Sequence, residues 1–446
     1  MSLHPKPRDA AKVRTADPVE LSTRIIDSGD LDEPTNRVSN DLTEVTDGVS
    51  VVESFSHMVT FATDDGLVAF DASGVQSGAA VIESLRGWST EPLHSLVYTH
   101  GHLDHVGGSG AVAADAEARG YAQPRVVGHA NVAPRFQRYR DTNGFNLAIN
   151  ARQFGGISKR FGMDIGGDDA EFLPSETLWP DTTYDDHLEF EVGGLELELH
   201  HGRGETDDHT WAWVPEHRAL CVGDFVTWVF PNAGNPQKVQ RYPLEWAASL
   251  RRMMTQGAEL LLPAHGLPVR GAGRIATVLN DLATALEGLV RDTVDMMNAG
   301  ESLDAILAQV RVPDDLMAKP WLIMVYDEPE FVVHNIWRLY GGWWDQNPAR
   351  LKPARDAVIA REMADLAGGA VVLVTRAEEL ADAGDYRLAC QLVEYAADAD
   401  PESAAAHQAR AEIYMARRHA ESSLMAKGVF AAASRESQAV LDALEA

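Results

Sequence analysis

The segment HGHLDH at residues 100–105 concentrates side chains that bind metal ions. It follows the apolar residues 95–99, which predict a buried strand, so the segment begins where that strand ends. Imidazole and carboxylate groups suit a borderline ion such as Zn²⁺, although iron and manganese accept the same ligands. A histidine-rich surface loop is the alternative, and isolated histidines such as His187 are interpreted as surface or core residues. Four ligand-type residues in six positions favour a metal site, and they are His100, His102, Asp104 and His105.

The pattern HxHxDH after a short strand resembles that of the metallo-β-lactamase superfamily. The resemblance implies an α/β protein with the αββα sandwich of that family. It also implies two bound metal ions, held by this motif and by three later ligands that lie in loops at strand ends. Three positions of the chain match those ligands in the expected order, namely Glu205, Asp224 and His265.

Glu205 stands where most members of the superfamily have a histidine. A glutamate at that position resembles the alkylsulfatase branch, in which one metal ion takes two histidines and one glutamate. The alternative is that Asp208 or His209 is the ligand and that Glu205 lies behind it. Asp224 follows a predicted strand and fits the bridging acid, with a turn residue at the end of the sheet as the alternative.

The resemblance assigns these residues to two divalent ions, which we expect to be Zn²⁺. Two ions that bind the same water lower the pKa of that water towards neutrality, so that it is present as hydroxide. They also stabilise charge on the oxygens of the transferred group. Asp104 is the residue expected to orient the water, so Asp104 and Asp224 are both expected to act in catalysis. The first ion is assigned His100, His102 and Glu205, the second Asp104, His105 and His265, and Asp224 is assigned the bridge.

An anionic substrate needs positive charge beyond the metal ions, since the chain has a net charge of −29. Arg241 lies five residues before Trp246 and resembles the arginine that binds sulfate in alkylsulfatases, so it is expected to act in both binding and catalysis. Its planar guanidinium can bind two oxygens of one anion together. A surface arginine at the start of a helix is the alternative. Asn146 and Arg152 lie where that family has another polar residue in contact with the substrate.

Composition excludes several classes of partner. The 67 acidic residues against 38 lysines and arginines argue against nucleic acid or an anionic membrane as a standing partner. The two cysteines do not make a disulfide framework. No apolar stretch approaches the roughly 18 residues of a membrane span, and the N-terminus does not resemble a secretory signal. We expect a cytoplasmic protein.

The elements that position the ligands alternate between strand and helix over the first 270 residues. Strands are predicted at 59–63, 67–71, 95–99, 125–128, 188–192, 195–200, 210–214, 219–222 and 259–262, and helices at 77–89 and 244–256. Residues 135–164 have no clean period and are predicted to be a long excursion that walls the substrate site. We predict an N-terminal arm over residues 1–45, outside the core, and a layered α/β catalytic domain over residues 46–271.

After residue 271 the pattern becomes helical, with helices predicted at 275–299, 377–400 and 404–415. The segments KPW at 319–321, VHNIWR at 333–338 and GGWWDQNP at 341–348 resemble the helical dimerisation domain of alkylsulfatases, as do AGDYRLA at 383–389 and ESSLMA at 421–426. The resemblance implies an all-α domain over residues 272–446 and a homodimer. A sterol-carrier-like domain, which larger alkylsulfatases have, does not follow in this sequence, which weakens the expectation of long-chain detergent cleavage.

The predicted function is hydrolysis of a small anionic ester. Specifically, a metal-bound hydroxide is expected to cleave an alkyl sulfate into an alcohol and sulfate. Hydrolysis of a lactone, thioester or phosphoester in the same site is one alternative, and a non-catalytic helical scaffold is another. The complete set of ligands argues against the scaffold. Arg241 distinguishes the two enzymes, because a sulfatase should lose activity without it and a neutral-ester hydrolase should not.

Overall fold

Two β-sheets form the frame of the protein in the computed structural model, which describes residues 17–154 and 170–445. The strands of the first sheet follow one another in chain order, and those of the second are ordered β13-β12-β11-β10-β9-β8. The first sheet contains β1 (Asp41–Thr46), β2 (Val49–Glu53), β3 (Met58–Thr63), β4 (Gly66–Phe70), β5 (Leu93–Val97), β6 (Arg125–His129) and β7 (Thr182–Tyr184). The second contains β8 (His187–Val192), β9 (Leu195–His201), β10 (Thr210–Val214), β11 (Ala219–Gly223), β12 (Leu260–Pro263) and β13 (Val269–Arg270).

Strand direction decides which loops meet. In the first sheet β4, β5, β6 and β7 run parallel to one another, and in the second sheet β11 and β12 are parallel. The remaining neighbours are antiparallel, and the short turn at residues 64 and 65 joins β3 to β4 as the sequence predicts. Because parallel strands end at the same edge, the residues that follow β4 and β5 lie together, and so do those that follow β11 and β12.

The main core lies between the two sheets. Alternate residues of β2 and β4, such as Val51 and Val68, pack towards Leu199 and Leu262 of the second sheet, and all four are at most 1% exposed. Their neighbours Val52 and the other intervening residues face the helices on the outer side of the first sheet. Each such buried aliphatic side chain contributes roughly 1.5–3 kcal/mol to folding.

Helices cover the outer faces. On the first sheet lie α2 (Gly78–Trp88), α4 (Ser109–Arg119) and α5 (Val132–Asp141), and on the second α7 (Pro243–Met254) packs against α8 (Ala272–Asn298), which contacts β12 and β13. This helix–sheet–sheet–helix layering confirms the predicted fold class. The other helices up to residue 341 are α1 (Pro18–Ser28), α3 (Leu103–Val106), α6 (Asn143–Phe154), α9 (Leu303–Gln309), α10 (Asp314–Met317) and α11 (Pro329–Gly341).

The N-terminal segment differs from the prediction. Over the described residues 17–45 it contains α1, which contacts β13, so the prediction that this segment stays outside the core is wrong. Asp17 caps α1 by accepting a hydrogen bond of 2.9 Å from the amide of Val19. Leu21 and Ile25 lie four residues apart on one face and are fully buried, and a spacing of one helical turn is easy to miss in so short a segment.

The structure also differs from the excursion predicted at residues 135–164, in the part of that range that it describes. Residues 132–154 form α5 and α6, with Phe136 and Tyr139 of α5 buried against the first sheet. Polar and aromatic residues obscure the apolar spacing of these helices in the sequence. The rest of the excursion lies outside the described residues, and its role as a substrate wall stays a prediction.

The chain divides into two compact units. The first consists of residues 17–147, 170–301 and 305–340, and the second of residues 148–154, 302–304 and 341–445. The predicted boundary at residue 271 coincides with the change from mixed structure to helix, but α8 belongs to the first unit because it packs on α7 and the second sheet. The predicted domain limits therefore stay predictions.

The second unit is helical. Its helices after residue 341 are α12 (Pro348–Leu351), α13 (Asp356–Ala367), α14 (Ala370–Asp382), α15 (Tyr386–Ala399), α16 (Ala404–Ala420) and α17 (Leu424–Glu445). The helix predicted over 377–400 is two helices, because Gly384 adopts a φ of 82° and Asp385 caps α15. Val393 and Ile413 belong to the apolar cluster that joins α13 to α16. Among the described residues no helix is long and apolar enough to cross a membrane.

Candidate metal centre

Four loops at strand ends bring the predicted ligands together. His100 lies in the loop after β5, Glu205 in the loop after β9, Asp224 directly after β11 and His265 two residues after β12. Loop positions allow side chains from separate parts of the chain to meet at one edge of the sandwich. The ligand atoms of the seven predicted residues form three overlapping groups in which all atoms lie within 4.8 Å of one another.

The first group contains His100, His102 and Glu205. Nε2 of His100 lies 2.9 Å from Nδ1 of His102, and that Nδ1 lies 3.5 Å from Oε1 of Glu205. His100 is fully buried and Glu205 is 4% exposed. Two imidazole nitrogens and a carboxylate oxygen at this separation can ligate one divalent ion.

The second group contains Asp104, His105 and His265. Oδ2 of Asp104 lies 3.6 Å from Nε2 of His105 and 3.3 Å from Nε2 of His265. The short helix α3 carries both Asp104 and His105. This group has the same composition as the first, so the two can hold similar ions.

Asp224 lies between the two groups. Its Oδ2 is 4.0 Å from Nε2 of His100, while its Oδ1 is 3.4 Å from Nε2 of both His105 and His265. One carboxylate oxygen therefore faces each group. Nε2 of His105 and Oδ1 of Asp224 are buried and make no hydrogen bond with the described residues. Buried polar atoms without partners are costly, so these atoms fit ligands of an ion.

The alternatives to Glu205 have other contacts. Asp208 accepts hydrogen bonds from Nε of Arg135 at 2.7 Å and from the amide of Gly101 at 3.1 Å. Nε2 of His209 accepts the amide of Asp224 at 3.2 Å, and its ring packs against Phe225. Asp208 and His209 therefore support the backbone of the loops that carry the ligands, and neither belongs to a group of ligand atoms among the described residues.

Asp71 is a supporting residue that the sequence did not identify. It follows β4, and its Oδ2 lies 2.8 Å from Nδ1 of His105. The same carboxylate accepts hydrogen bonds of 2.7 Å from the amide and the hydroxyl of Thr99. This contact fixes the ring of His105 with Nε2 towards Asp104 and Asp224. In the sequence Asp71 appears only as an acidic residue at the end of a predicted strand. The structure shows that this strand runs parallel to β5.

Two glycines next to ligands cannot be replaced without displacing the centre. A Cβ on Gly223, at φ 51°, would lie 2.7 Å from Nε2 of His209. A Cβ on Gly266, at φ 87°, would lie 2.3 Å from the indole of Trp228. Both approaches are closer than real Cβ contacts allow, and both glycines adopt left-handed backbone conformations.

Burial and mutual charge shift the pKa values of the cluster in opposite directions. Burial lowers the pKa of His100 and His102 well below the usual range. For His105 burial acts in the same sense, but the carboxylates around it raise its pKa well above the usual range. Burial would raise the pKa of Asp224, yet His265 and His105 hold it far below the usual range. Burial raises the pKa of Glu205 to about 8 against the opposing effect of Arg241.

Arg241 is buried beside Glu205, so the alternative of a surface arginine is wrong. Its side chain is 1% exposed, Nη1 donates to the carbonyl oxygen of Glu205, and Nη2 lies 3.4 Å from Oε1 of the same residue. The carboxylate also accepts a hydrogen bond from Nδ2 of Asn232. Burial lowers the pKa of Lys238 to about 7, and Arg241 adds to that effect, while Asp104 and Glu205 oppose it. Lys238 thus lies within the electrostatic range of the ligands, and at neutral pH its amine is only partly protonated.

The two remaining predicted substrate residues both lie on α6. Asn146 is 9% exposed, and its Nδ2 donates to the carbonyl oxygen and the hydroxyl of Thr142 at 3.0 and 2.7 Å. Arg152 is exposed and belongs to the second compact unit. A role of either residue in substrate binding stays a prediction.

Comparison with known families matches two parts of the chain. Residues 51–265 match the metallo-beta-lactamase superfamily, and residues 302–439 match the family described as alkyl sulfatase dimerisation. The first match begins in β2 and ends at His265, so it includes the whole cluster. The second covers most of the helices of the second unit.

Individual relatives agree with both matches. The chain is 28% identical over 364 residues to a linear primary-alkylsulfatase from a Pseudomonas species, covering 78% of this chain and 68% of that protein. It is 25% identical to an (R)-specific secondary-alkylsulfatase from a Pseudomonas species, covering 78% of this chain but only 54% of the relative. The chain thus spans between about half and two thirds of the length of these relatives.

A solved structure extends the likeness to the fold. A stereoselective inverting sec-alkylsulfatase from a Pseudomonas species superimposes with a TM-score of 0.77 at 22% identity, over 90% of this chain and 65% of that one. At this identity the likeness concerns the fold alone. The two family matches agree with this likeness for the sandwich and for the helical unit separately, and the chain is similar to alkylsulfatases of the metallo-beta-lactamase superfamily.

Proposed function

We propose that the protein is a binuclear metal-dependent hydrolase that cleaves alkyl sulfate esters into an alcohol and sulfate. The single observation that carries the proposal is the geometry of Asp224, whose two oxygens face two separate groups of three ligands. The family matches and the named activities of the relatives support the choice of an alkyl sulfate as the substrate.

The proposed ligands are the seven residues of the cluster. The first ion takes His100, His102 and Glu205, and the second takes Asp104, His105 and His265, with Asp224 shared. Nitrogen-rich sites of this kind suit Zn²⁺, and two Zn²⁺ ions per chain are our proposal. When bound, two ions lower the pKa of a shared water towards neutrality and offset negative charge that builds on the ester oxygens.

The residues of the chain then have separate tasks. Asp104 is the most exposed carboxylate of the cluster, at 29% of its side chain, so we assign it the orientation of the attacking water. Asp224 fixes the spacing of the two groups. Arg241 holds Glu205 through its carbonyl oxygen and carboxylate, and its Nε remains buried without a hydrogen bond to the described residues.

The cations near Glu205 favour an anionic substrate over a neutral one. A chain with a net charge of −29 repels anions at long range, so local positive charge must compensate. Arg241 provides that charge next to the cluster, and Lys238, whose pKa is about 7, adds to it when protonated. A phosphoester would use the same charges and is the second candidate, whereas a lactone or thioester would not need them.

Hydrolysis of a medium-chain alkyl sulfate by metal-loaded protein tests the function. We expect release of sulfate, about two zinc equivalents at the central cluster of each chain, and loss of activity on chelation that added Zn²⁺ restores. A panel of alkyl sulfate, alkyl phosphate, lactone and thioester measured by product release separates the candidates. Activity that persists after complete removal of metal would exclude the proposal, and preference for another ester would exclude the sulfate assignment.

Replacement of Asp71 by asparagine tests the support of His105. Asparagine tolerates the left-handed backbone that Asp71 adopts at φ 59°, so the fold should survive. We expect the affinity for Zn²⁺ to fall about 10–100-fold, because the ring of His105 loses its orienting carboxylate. Competition with a chromophoric chelator measures the affinity. Asp65→Asn, an exposed residue of the β3–β4 turn, is the matched control and should leave it unchanged.

Replacement of Arg241 by alanine tests the anion site. We expect kcat/KM for an alkyl sulfate to fall roughly 10²–10³-fold, as for removal of one donor to a developing anion, with the zinc content unchanged from that of the wild-type protein. Arg203→Ala, an exposed arginine paired with Glu245, should leave kcat/KM within twofold. An equal effect of Arg241→Ala on a neutral ester would mean that the arginine supports Glu205 and does not bind sulfate.

We also propose a homodimer formed through the second unit. This unit carries the family match for dimerisation and exposes large apolar side chains, among them Trp343, Leu366 and Val371. Exposed apolar surface of this extent is typical of protein interfaces. Light scattering at micromolar concentration should give twice the chain mass of 48.6 kDa, and a mass of one chain would contradict the proposal.

A further inference from the structure

A second group of histidines and glutamates lies on the hairpin of β8 and β9 and shares no residue with the central cluster. In the antiparallel register His187 faces His200, and Glu189 faces Glu198. Residues two apart on a strand point to the same side of the sheet, so these four side chains occupy the corners of one cross-strand square. The sequence does not reveal the square, because its two sides are separated by the turn at residues 193 and 194.

The side chains of this square are close enough to share one ion. The ligand atoms of His187, Glu198 and His200 all lie within 4.8 Å of one another. Nε2 of His200 lies 3.6 Å from Oε2 of Glu198, and Nε2 of His187 lies 3.5 Å from Oε1 of Glu189. The two imidazole rings stack at a centroid distance of 4.6 Å.

His200 is the residue that points to a ligand. It is 9% exposed, and its ring also stacks on Trp211 of the next strand at 4.1 Å. Its Nε2 is buried and makes no hydrogen bond with any described residue. A buried ring nitrogen without a partner costs free energy unless another group satisfies it. A metal ion at the square would satisfy it.

We propose that His187, Glu198 and His200 form a peripheral binding site for a divalent ion of the zinc class, with Glu189 as the fourth ligand. Two imidazoles and two carboxylates form a donor set that Zn²⁺ accepts in tetrahedral geometry. Two carboxylates also balance the double positive charge of the ion. The site is independent of the proposed hydrolysis.

One neighbouring cation must move for the ion to bind. Nη2 of Arg252 lies 3.4 Å from Nδ1 of His200, near the upper limit for a hydrogen bond. An ion on Nε2 leaves the proton on Nδ1, so the guanidinium has to turn away. Arg252 is exposed and has room to do so. Burial lowers the pKa of His200 to about 4, with His187 and Arg252 adding to it, so the ring is already neutral at neutral pH.

The consequence concerns the edge of the second sheet. β8 is the last strand of that sheet, and an edge strand has one unpaired side. An ion held by residues of both β8 and β9 joins the edge strand to its neighbour. The site therefore stabilises the hairpin when divalent ions are present.

Zinc stoichiometry of the full chain tests the site. Metal-free protein is dialysed against increasing Zn²⁺, and bound metal is measured by elemental analysis. We expect one equivalent beyond those of the central cluster, and His187→Gln should remove that equivalent. His94→Gln, an exposed strand histidine outside both clusters, is the matched control and should retain it. Equal zinc content in the wild-type protein and in His187→Gln would overturn the proposal.

Two further variants separate this site from the central one. Glu198→Gln should weaken the extra equivalent by 10-fold or more, whereas Glu196→Gln, two residues away on the same face of β9, should not. His102→Ala should lose zinc from the central cluster and keep the peripheral equivalent. A failure of alkyl sulfate hydrolysis would contradict the proposed function and not the peripheral site. Retention of the extra zinc equivalent in Glu198→Gln would contradict the peripheral site.

Discussion

The attraction between the three carboxylates of the cluster, two of them buried and one partly exposed, and the positive charge around them is the interaction on which the rest of the structure depends. Asp104, Glu205 and Asp224 each lie within 4.8 Å of histidines of the cluster at the edge of the sandwich, and water screens the buried Glu205 and Asp224 poorly. In the metal-free protein this charge raises the pKa of His105 and His265, although burial acts against it, and burial keeps a proton on Glu205 up to a pKa of about 8. Metal ions must displace those protons, so metal affinity falls as the pH is lowered.

The scaffold holds this charge in place through strand direction. Because β4 and β5 run parallel, Asp71 lies beside the HGHLDH segment. Because β11 and β12 run parallel, Asp224 lies beside His265. The backbone of the intervening loops is fixed by Asp208 and Arg135, which pair at 2.7 Å and are both nearly fully buried. Asp327 holds the loop that carries Asn232, because it accepts hydrogen bonds from the amides of Gly234 and Asn235.

Much of the fold and of the candidate site could be predicted because short local patterns in the sequence mark the strands and the HGHLDH segment. The strands that precede the ligands are short apolar runs, and the HGHLDH segment lies at the end of one of them. The resemblance of that segment to the metallo-β-lactamase pattern implied the fold class, and Glu205, Asp224 and His265 matched the later ligands in order. The supporting roles of Asp71 and Asp208 were not predicted because they depend on contacts across 34 and 107 residues of chain. Helix α1 was missed because only Leu21 and Ile25 mark its buried face in a polar segment. The square on β8 and β9 depends on strand register, which single residues do not reveal.

The position of the bound ions tests the central claim most directly. Anomalous scattering at the zinc edge, from crystals of the metal-loaded protein, locates each ion without any assumption about activity. At the central cluster we expect two peaks about 3.5–4 Å apart, one beside His102 and one beside His265, with Asp224 between them. A single peak, or two peaks that do not have Asp224 between them, would contradict the binuclear centre.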